Sequence, residues 1–282
     1  MTAATLNLTQ RFPGRRVFIT GAASGFGLAC AELLAREGWS LMLTDVDAAR
    51  LSIVAARLAA QGVRVGSEPC DVRDAAALTR IVDAASQVLG GIDLAVNCAG
   101  VAAVGPFVGS NPDDWQWMFD INVHGVANSC RAVLPHMLRN RQGLIINVAS
   151  AAAFCTGANM TGYNATKAAV VALSESLQQE YGAEQIQTAA AMPGFFRTRL
   201  MEGARGPDRV LAGAQRLMED SRLTAQDVAE QVLFQAGAGR THIVYPSYYR
   251  WIWRWKRIAP QSFQRWFPKL NSRRRSPRDD TH

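Results

Sequence analysis

Between residues 17 and 245 the chain alternates short apolar runs with longer stretches whose apolar positions recur every three or four residues. The runs at 17–20, 40–45, 63–70, 94–97, 144–149, 187–191 and 242–245 are strand-length and bounded by turn residues, which predicts seven buried strands. The stretches between them carry the period of helices packed on one face. Parallel strands need crossover connections, so the alternation predicts an α/β fold: a doubly wound parallel sheet in a three-layer αβα arrangement. At 282 residues and 49% hydrophobic, the chain can bury one large core. No internal repeat, second apolar unit or low-complexity linker interrupts the pattern. The reading is therefore a single domain at 15–247, with an N-terminal extension at 1–14 and a tail at 248–282.

The first run leads into Thr20-Gly21-Ala22-Ala23-Ser24-Gly25-Phe26-Gly27 and then a helical stretch at 28–36. Strand, glycine turn and helix start form an anion site. Glycines let the backbone approach a pyrophosphate, and the helix offers free N–H groups and the positive end of its dipole. The Gly-x-x-x-Gly-x-Gly spacing departs from the commoner Gly-x-Gly-x-x-Gly fingerprint, and a tight turn with no ligand would also use glycine. Asp45 closes the second run about 20 residues on, where an acidic group meets ribose hydroxyls. A solvated loop aspartate is the plainer alternative.

Tyr163 and Lys167 stand four residues apart, and Ser150 precedes the tyrosine by 13 positions, just after the fifth run. On a helix such a pair shares one face, so an ammonium can lie beside a phenol whose ordinary pKa is about 10. A cation within roughly 4 to 6 Å favours the phenolate and draws that pKa down. Taken alone, the pair could equally be a surface pair on a helix.

With the glycine turn, Asp45, Ser150, Tyr163 and Lys167 in register, the chain resembles the short-chain dehydrogenase/reductase family from about residue 15 to about 244. Further family positions follow in order at Asp71-Val72, Asn97-Cys98-Ala99-Gly100, Asn122, Pro193-Gly194 and Thr198; Cys98 stands where the family usually carries a second asparagine. The resemblance implies a Rossmann-type fold and an NAD(P)-dependent oxidoreductase interconverting an alcohol and a ketone or aldehyde. It implies Tyr163 as general acid/base and Lys167 as stabiliser of the phenolate and holder of the nicotinamide ribose. Ser150 then bonds the substrate oxygen, and Asn122 holds a water that links Lys167 to solvent. A helix-kinking or side-chain-to-backbone role for Asn122 could coexist with that.

The implied cofactor contacts are Gly21, Ser24, Gly25, Phe26, Gly27, Asp45, Asp71, Val72, Asn97, Ala99, Gly100, Tyr163, Lys167, Pro193, Gly194, Phe196 and Thr198. NAD is expected over NADP, because Asp45 would repel a 2′-phosphate and neither Ala23 nor Val46 is basic. Related enzymes pair through the helices expected here at 113–138 and 162–181, which implies a homodimer or homotetramer.

Phe195, Phe196, Leu200 and Met201, joined by Phe154, Cys155 and Met160, fit a lipophilic alcohol or carbonyl substrate, or simply pack on the core. Ser150, Phe154, Met160 and Phe195 are the expected substrate contacts. Arg197, Arg199 and Arg205 leave open an anionic group on that substrate. The five cysteines lack Cys-x-x-Cys spacing and the N-terminus lacks the apolar core of a signal peptide, which points to a cytoplasmic setting. His124, His136, His242 and His282 are dispersed, so no metal is expected. A protein that binds a dinucleotide without turning it over, as regulator or scaffold, is the competing class. Having Asn122, Ser150, Tyr163 and Lys167 together argues against it, since a pure binder has no need of the phenol.

The formal charge of +7 is local: residues 250–282 hold ten basic and two acidic residues, out of 30 and 23 in the whole chain. Within this tail Tyr248, Trp251, Ile252, Trp255, Ile258, Ala259, Phe263, Trp266 and Phe267 recur at helical spacing, broken at Pro260. Such a segment can lie on an anionic membrane surface, pack on the enzyme's own substrate lobe or meet a second subunit. Nucleic acid is not expected, because no recognised binding fold accompanies the basic residues. Arg273-Arg274-Arg275 reads as a solvated end. No run approaches the ~20 apolar residues of a spanning helix.

Overall fold

Successive residues of a strand point to opposite faces of a sheet, and here that alternation fills two separate cores. From β1 (Arg16–Thr20), Val17 and Ile19 enter one core and Phe18 the other; β2 (Ser40–Thr44) divides Leu41 and Leu43 from Met42 in the same way. With β3 (Val65–Ser67), β4 (Leu94–Asn97), β5 (Gly143–Val148), β6 (Ile186–Pro193) and β7 (His242–Tyr245) they form a parallel sheet of order β3-β2-β1-β4-β5-β6-β7. This is a computed structural model, and it describes residues 3–273.

The helices are α1 (Ala3–Arg11), α2 (Gly25–Arg36), α3 (Ala48–Ala59), α4 (Ala75–Leu89), α5 (Pro112–Phe119) and α6 (Val126–Asn140). They continue as α7 (Ala152–Cys155), α8 (Thr161–Tyr181), α9 (Asp208–Glu219), α10 (Ala225–Gly237), α11 (Ser247–Ile258) and α12 (Pro260–Arg273). Residues of α1, α2, α3 and α10 cover one face, and those of α4, α6, α7 and α8 the other. The expected doubly wound Rossmann-type sheet is present. Between β1 and β4 the winding reverses, which opens a crevice at the carboxyl ends of the strands. Parallel register lines up Thr44, Thr20, Asn97 and Asn147 along that edge, all buried.

Several elements differ from the sequence reading. Residues 3–11, read as an extension, form a helix against α10, with Leu8 and Phe12 wholly buried. The third strand shortens from 63–70 to Val65–Ser67, because it is an edge strand paired only with β2 and half exposed. The helix expected at 113–138 is broken by a π-helical turn, Asp120–Gly125. The tail is two helices that meet at Ala259-Pro260, and Arg274 and Arg275 lie outside the described residues.

Candidate active site

The glycine turn sits against the loop that follows β4. Gly21 has φ +66°, and a Cβ there would lie 2.7 Å from the Ala99 nitrogen. A Cβ on Gly27 would strike the Gly21 carbonyl oxygen. Thr20 braces the pair from below, its Oγ1 accepting from the Cys98 and Ala99 N–H groups at 3.1 and 3.3 Å. Cys98 is half-buried beside the turn with its thiol against the Gly27 backbone, and desolvation raises the thiol pKa to about 12, which disfavours the thiolate. Ser24 caps α2 without a side-chain bond, leaving the helix end open to an anion. Asp45 accepts from the Ala23 N–H at 2.9 Å and the Asp47 N–H at 3.0 Å, so its carboxylate is locked beside the turn. A Cβ on Gly25 (φ +54°) would lie 2.9 Å from Thr198 Oγ1, which brings the loop after β6 to the same place. Close-approach glycines, an uncapped helix end and a fixed carboxylate fit a dinucleotide.

Beside this cradle α8 begins with Tyr163, 7% exposed, and Lys167, 5% exposed. The Tyr163 phenol and the Ser150 hydroxyl are hydrogen-bonded to each other. Lys167 Nζ donates to the Val148 carbonyl at 2.9 Å and stands 5.6 Å from the Tyr163 ring centre. The expectation that Lys167 draws the phenol's pKa down is not met by the protein's own groups. Burial penalises the charged form of both, raising Tyr163 to about 12 and lowering Lys167 to about 8. The ammonium is bonded to a backbone carbonyl and stands over the ring. At neutral pH the pair therefore rests as neutral phenol and cationic lysine.

Asn122 is fully buried in the π-helical turn, a geometry frequent at functional sites. Its Nδ2 donates to the Val101 carbonyl (2.9 Å) and Thr166 Oγ1 (3.2 Å), and its Oδ1 accepts from the Val101 N–H (2.8 Å). Both amide protons are engaged, so a water could meet only the second lone pair of Oδ1 or the backbone of the turn. A Cβ on Gly100 would lie 3.2 Å from Asn122 Oδ1 and 3.5 Å from Lys167 Nζ, so all three stand together.

Other expected cofactor residues are turned elsewhere. Asn97 faces the core: its Nδ2 donates to Asn147 Oδ1 at 2.7 Å and its Oδ1 accepts from Ser129, while Asn147 donates to Ser174 at 3.0 Å. Its side chain ties β4, β5, α6 and α8 together, and only its backbone is left for a ligand. Asp71 is held by Arg73, which lowers its carboxyl pKa, and Val72 is buried in the second core against Gly125. Phe196 packs on the first core.

Of the expected substrate contacts, Met160 lies with Ala102, Met118, Leu200 and Tyr163 in a small apolar cluster, and Phe195 is half-buried. Phe154 is 5% exposed within the second core, edge-on to Tyr249 at 6.4 Å. Tyr249 itself, from α11, lies so close to Gly194 that a Cβ there would strike its ring, and its hydroxyl bonds the Phe195 backbone. Lys256 donates to the Phe154 carbonyl at 3.1 Å. Nothing in the local sequence announces this bracing, since Tyr249 comes from more than 50 residues away. Thr20 and Thr166, by contrast, adjoin motif residues and were within reach.

A family model described as short chain dehydrogenase matches residues 15–208. The chain belongs to the short-chain dehydrogenase family. Oxidoreductase UcpA of Escherichia coli K12 is 36% identical over 193 residues, 68% of this chain and 73% of that one. Among solved structures, a short-chain dehydrogenase/reductase from Burkholderia phymatum in complex with NAD superposes with TM-score 0.82 and 31% identity, covering 96% of this dehydrogenase and 99% of that chain. One from Sphingobium yanoikuyae in complex with NADPH gives 0.75 and 26%, covering 88% and 94%. This short-chain dehydrogenase is an oxidoreductase of a family whose members bind NAD or NADPH at the fold described above.

Proposed function

We propose that this dehydrogenase interconverts a secondary alcohol and a ketone, or a primary alcohol and an aldehyde, on a lipophilic small molecule, with Tyr163 as general acid/base. The observation that carries this is the buried Tyr163 phenol bonded to Ser150 with the Lys167 ammonium against its ring. When bound, the nicotinamide supplies or accepts the hydride. In the reducing direction Tyr163 gives its proton to the substrate oxygen, Ser150 bonds that oxygen as charge builds, and the Lys167 charge faces the phenolate left behind. The resting neutral phenol suits that direction at neutral pH. Asn122 acts by holding the Val101 loop and Thr166 beside Lys167.

Asp45, fixed beside Ala23, supports NAD over NADP. Ser150, Met160 and Phe195, with Leu200 added, are the proposed substrate contacts, and an adjoining cleft of about 130 Å³ is lined by Phe107, Trp115 and Met118. Residues 15–247 form the catalytic unit, with α1 and the C-terminal helices as additions to it. A homodimer or homotetramer through α5, α6 and α8, working in the cytoplasm, completes the reading. The test is NAD reduction across a panel of lipophilic secondary alcohols by wild type and Tyr163→Phe. Turnover should fall by about 10³-fold with NAD affinity within about twofold. Full residual activity would refute the assignment.

A further inference from the structure

Folding uses only one face of the tail. On α11, Tyr249, Ile252 and Trp253 pack into the second core, and Lys256 bonds Phe154. Arg257 and His242 both reach Glu175 on α8, and on α12 Phe263 is 2% exposed against Trp255 and Phe267. The opposite face is bare: Trp251 is 72% exposed, Ile258 82% and Tyr248 54%. At 100° per residue these three form one stripe, and Arg250, Arg254 and Arg257 form the stripe beside it.

Large apolar side chains set together in the open mark an interaction surface. Its chemistry narrows the partner. From Tyr248 to Arg273 the chain has seven basic residues and no acidic one. A two-fold contact between copies of this face would set the arginine stripe against itself. A bilayer with anionic headgroups satisfies both stripes, because indole and aliphatic groups enter the headgroup layer while guanidinium groups stay at its charged surface. Among the described residues no helix is long and apolar enough to cross a membrane, so the contact would lie on the surface.

We propose that the outer face of α11 and α12 docks on an anionic membrane surface, with Trp251 and Ile258 in the headgroup layer and Arg250, Arg254 and Arg265 against the lipid charges. α11 leaves the carboxyl end of β7 and braces α7, so the docked face lies at the same end of the sheet as Tyr163. The proposal is independent of the reaction assigned to the site.

The test is flotation of the full chain with vesicles of phosphatidylcholine alone or with about 30 mol% phosphatidylserine. Wild type should float with the anionic vesicles only. Trp251→Ala/Ile258→Ala should weaken partitioning about tenfold. Arg250→Gln/Arg254→Gln, which alters no packed side chain, should weaken it and flatten its salt dependence. Wild type left unbound by anionic vesicles, or binding unchanged in the arginine variant, would overturn the proposal. So would a lipid-free sedimentation experiment in which Trp251→Ala/Ile258→Ala splits a wild-type assembly, since the face would then belong to a second copy.

Discussion

Helices α8 and α11 carry the same local signal, an aromatic residue with a cation one turn on, and put it to opposite uses. In α8, Tyr163 and Lys167 are 7% and 5% exposed, and burial moves the pKa values of both. In α11, Trp251 is 72% exposed with the Arg254 guanidinium 5.7 Å from its ring centre. Water screens that second pair, so it offers surface and charge but no proton chemistry. A spacing of three or four residues says that two side chains can meet, and the dielectric around them decides what the meeting does.

Three measurements would break or sharpen this contrast. The largest effect is expected where α11 stops being a surface helix. Tyr249→Ala removes a ring packed on Gly194 and Phe154, and urea unfolding should show a loss of about 3 kcal/mol. A loss under about 0.5 kcal/mol would mean that the inner face of α11 is as loosely held as the outer.

Next comes the pH dependence of the buried pair. Lys167 releases its proton near 8 in the folded chain and near 10.5 when unfolded. Between those values the unfolded state binds more protons, so stability from this group rises with pH and is flat below about 8. The stability of wild type relative to Lys167→Met should therefore climb by about 2 kcal/mol between pH 8 and 10.5. The buried Cys130, raised to about 12, acts in the opposite sense above about 9 and cancels in this comparison; Cys98, whose thiol feels the Lys167 charge, does not cancel and offsets part of the climb above about 9. A pH-independent difference would show that the ammonium is solvated.

The smallest effect belongs to the outer stripe. Trp251→Ala should change the unfolding midpoint by an amount worth less than about 0.5 kcal/mol, because its side chain lies outside the packing. A loss above about 1 kcal/mol would place Trp251 in a contact between subunits.

Much of this was legible without coordinates. Leu94–Asn97 and His242–Tyr245 match the expected strands to the residue, because strands buried on both faces are continuous apolar runs closed by turn residues. The helix of residues 3–11 was not legible, since its burial depends on α10, more than 200 residues away in sequence. The π-helical turn at Asn122 was hidden too. It is held by bonds to Val101 and Thr166, which no helical periodicity records.

The sequence by itself determined the winding of the sheet, the glycine cradle with Asp45, and the grouping of Ser150, Tyr163 and Lys167. The winding follows from local periodicity, and the other two from motif spacing read through the family resemblance. Only the tertiary structure decided the protonation state of the pair Tyr163 and Lys167, the inward turn of Asn97, the burial of Phe154 and the split of the tail into a packed face and an open one. Those depend on burial and on partners brought from distant segments, and desolvation is a property of the assembled fold that no short stretch of residues carries.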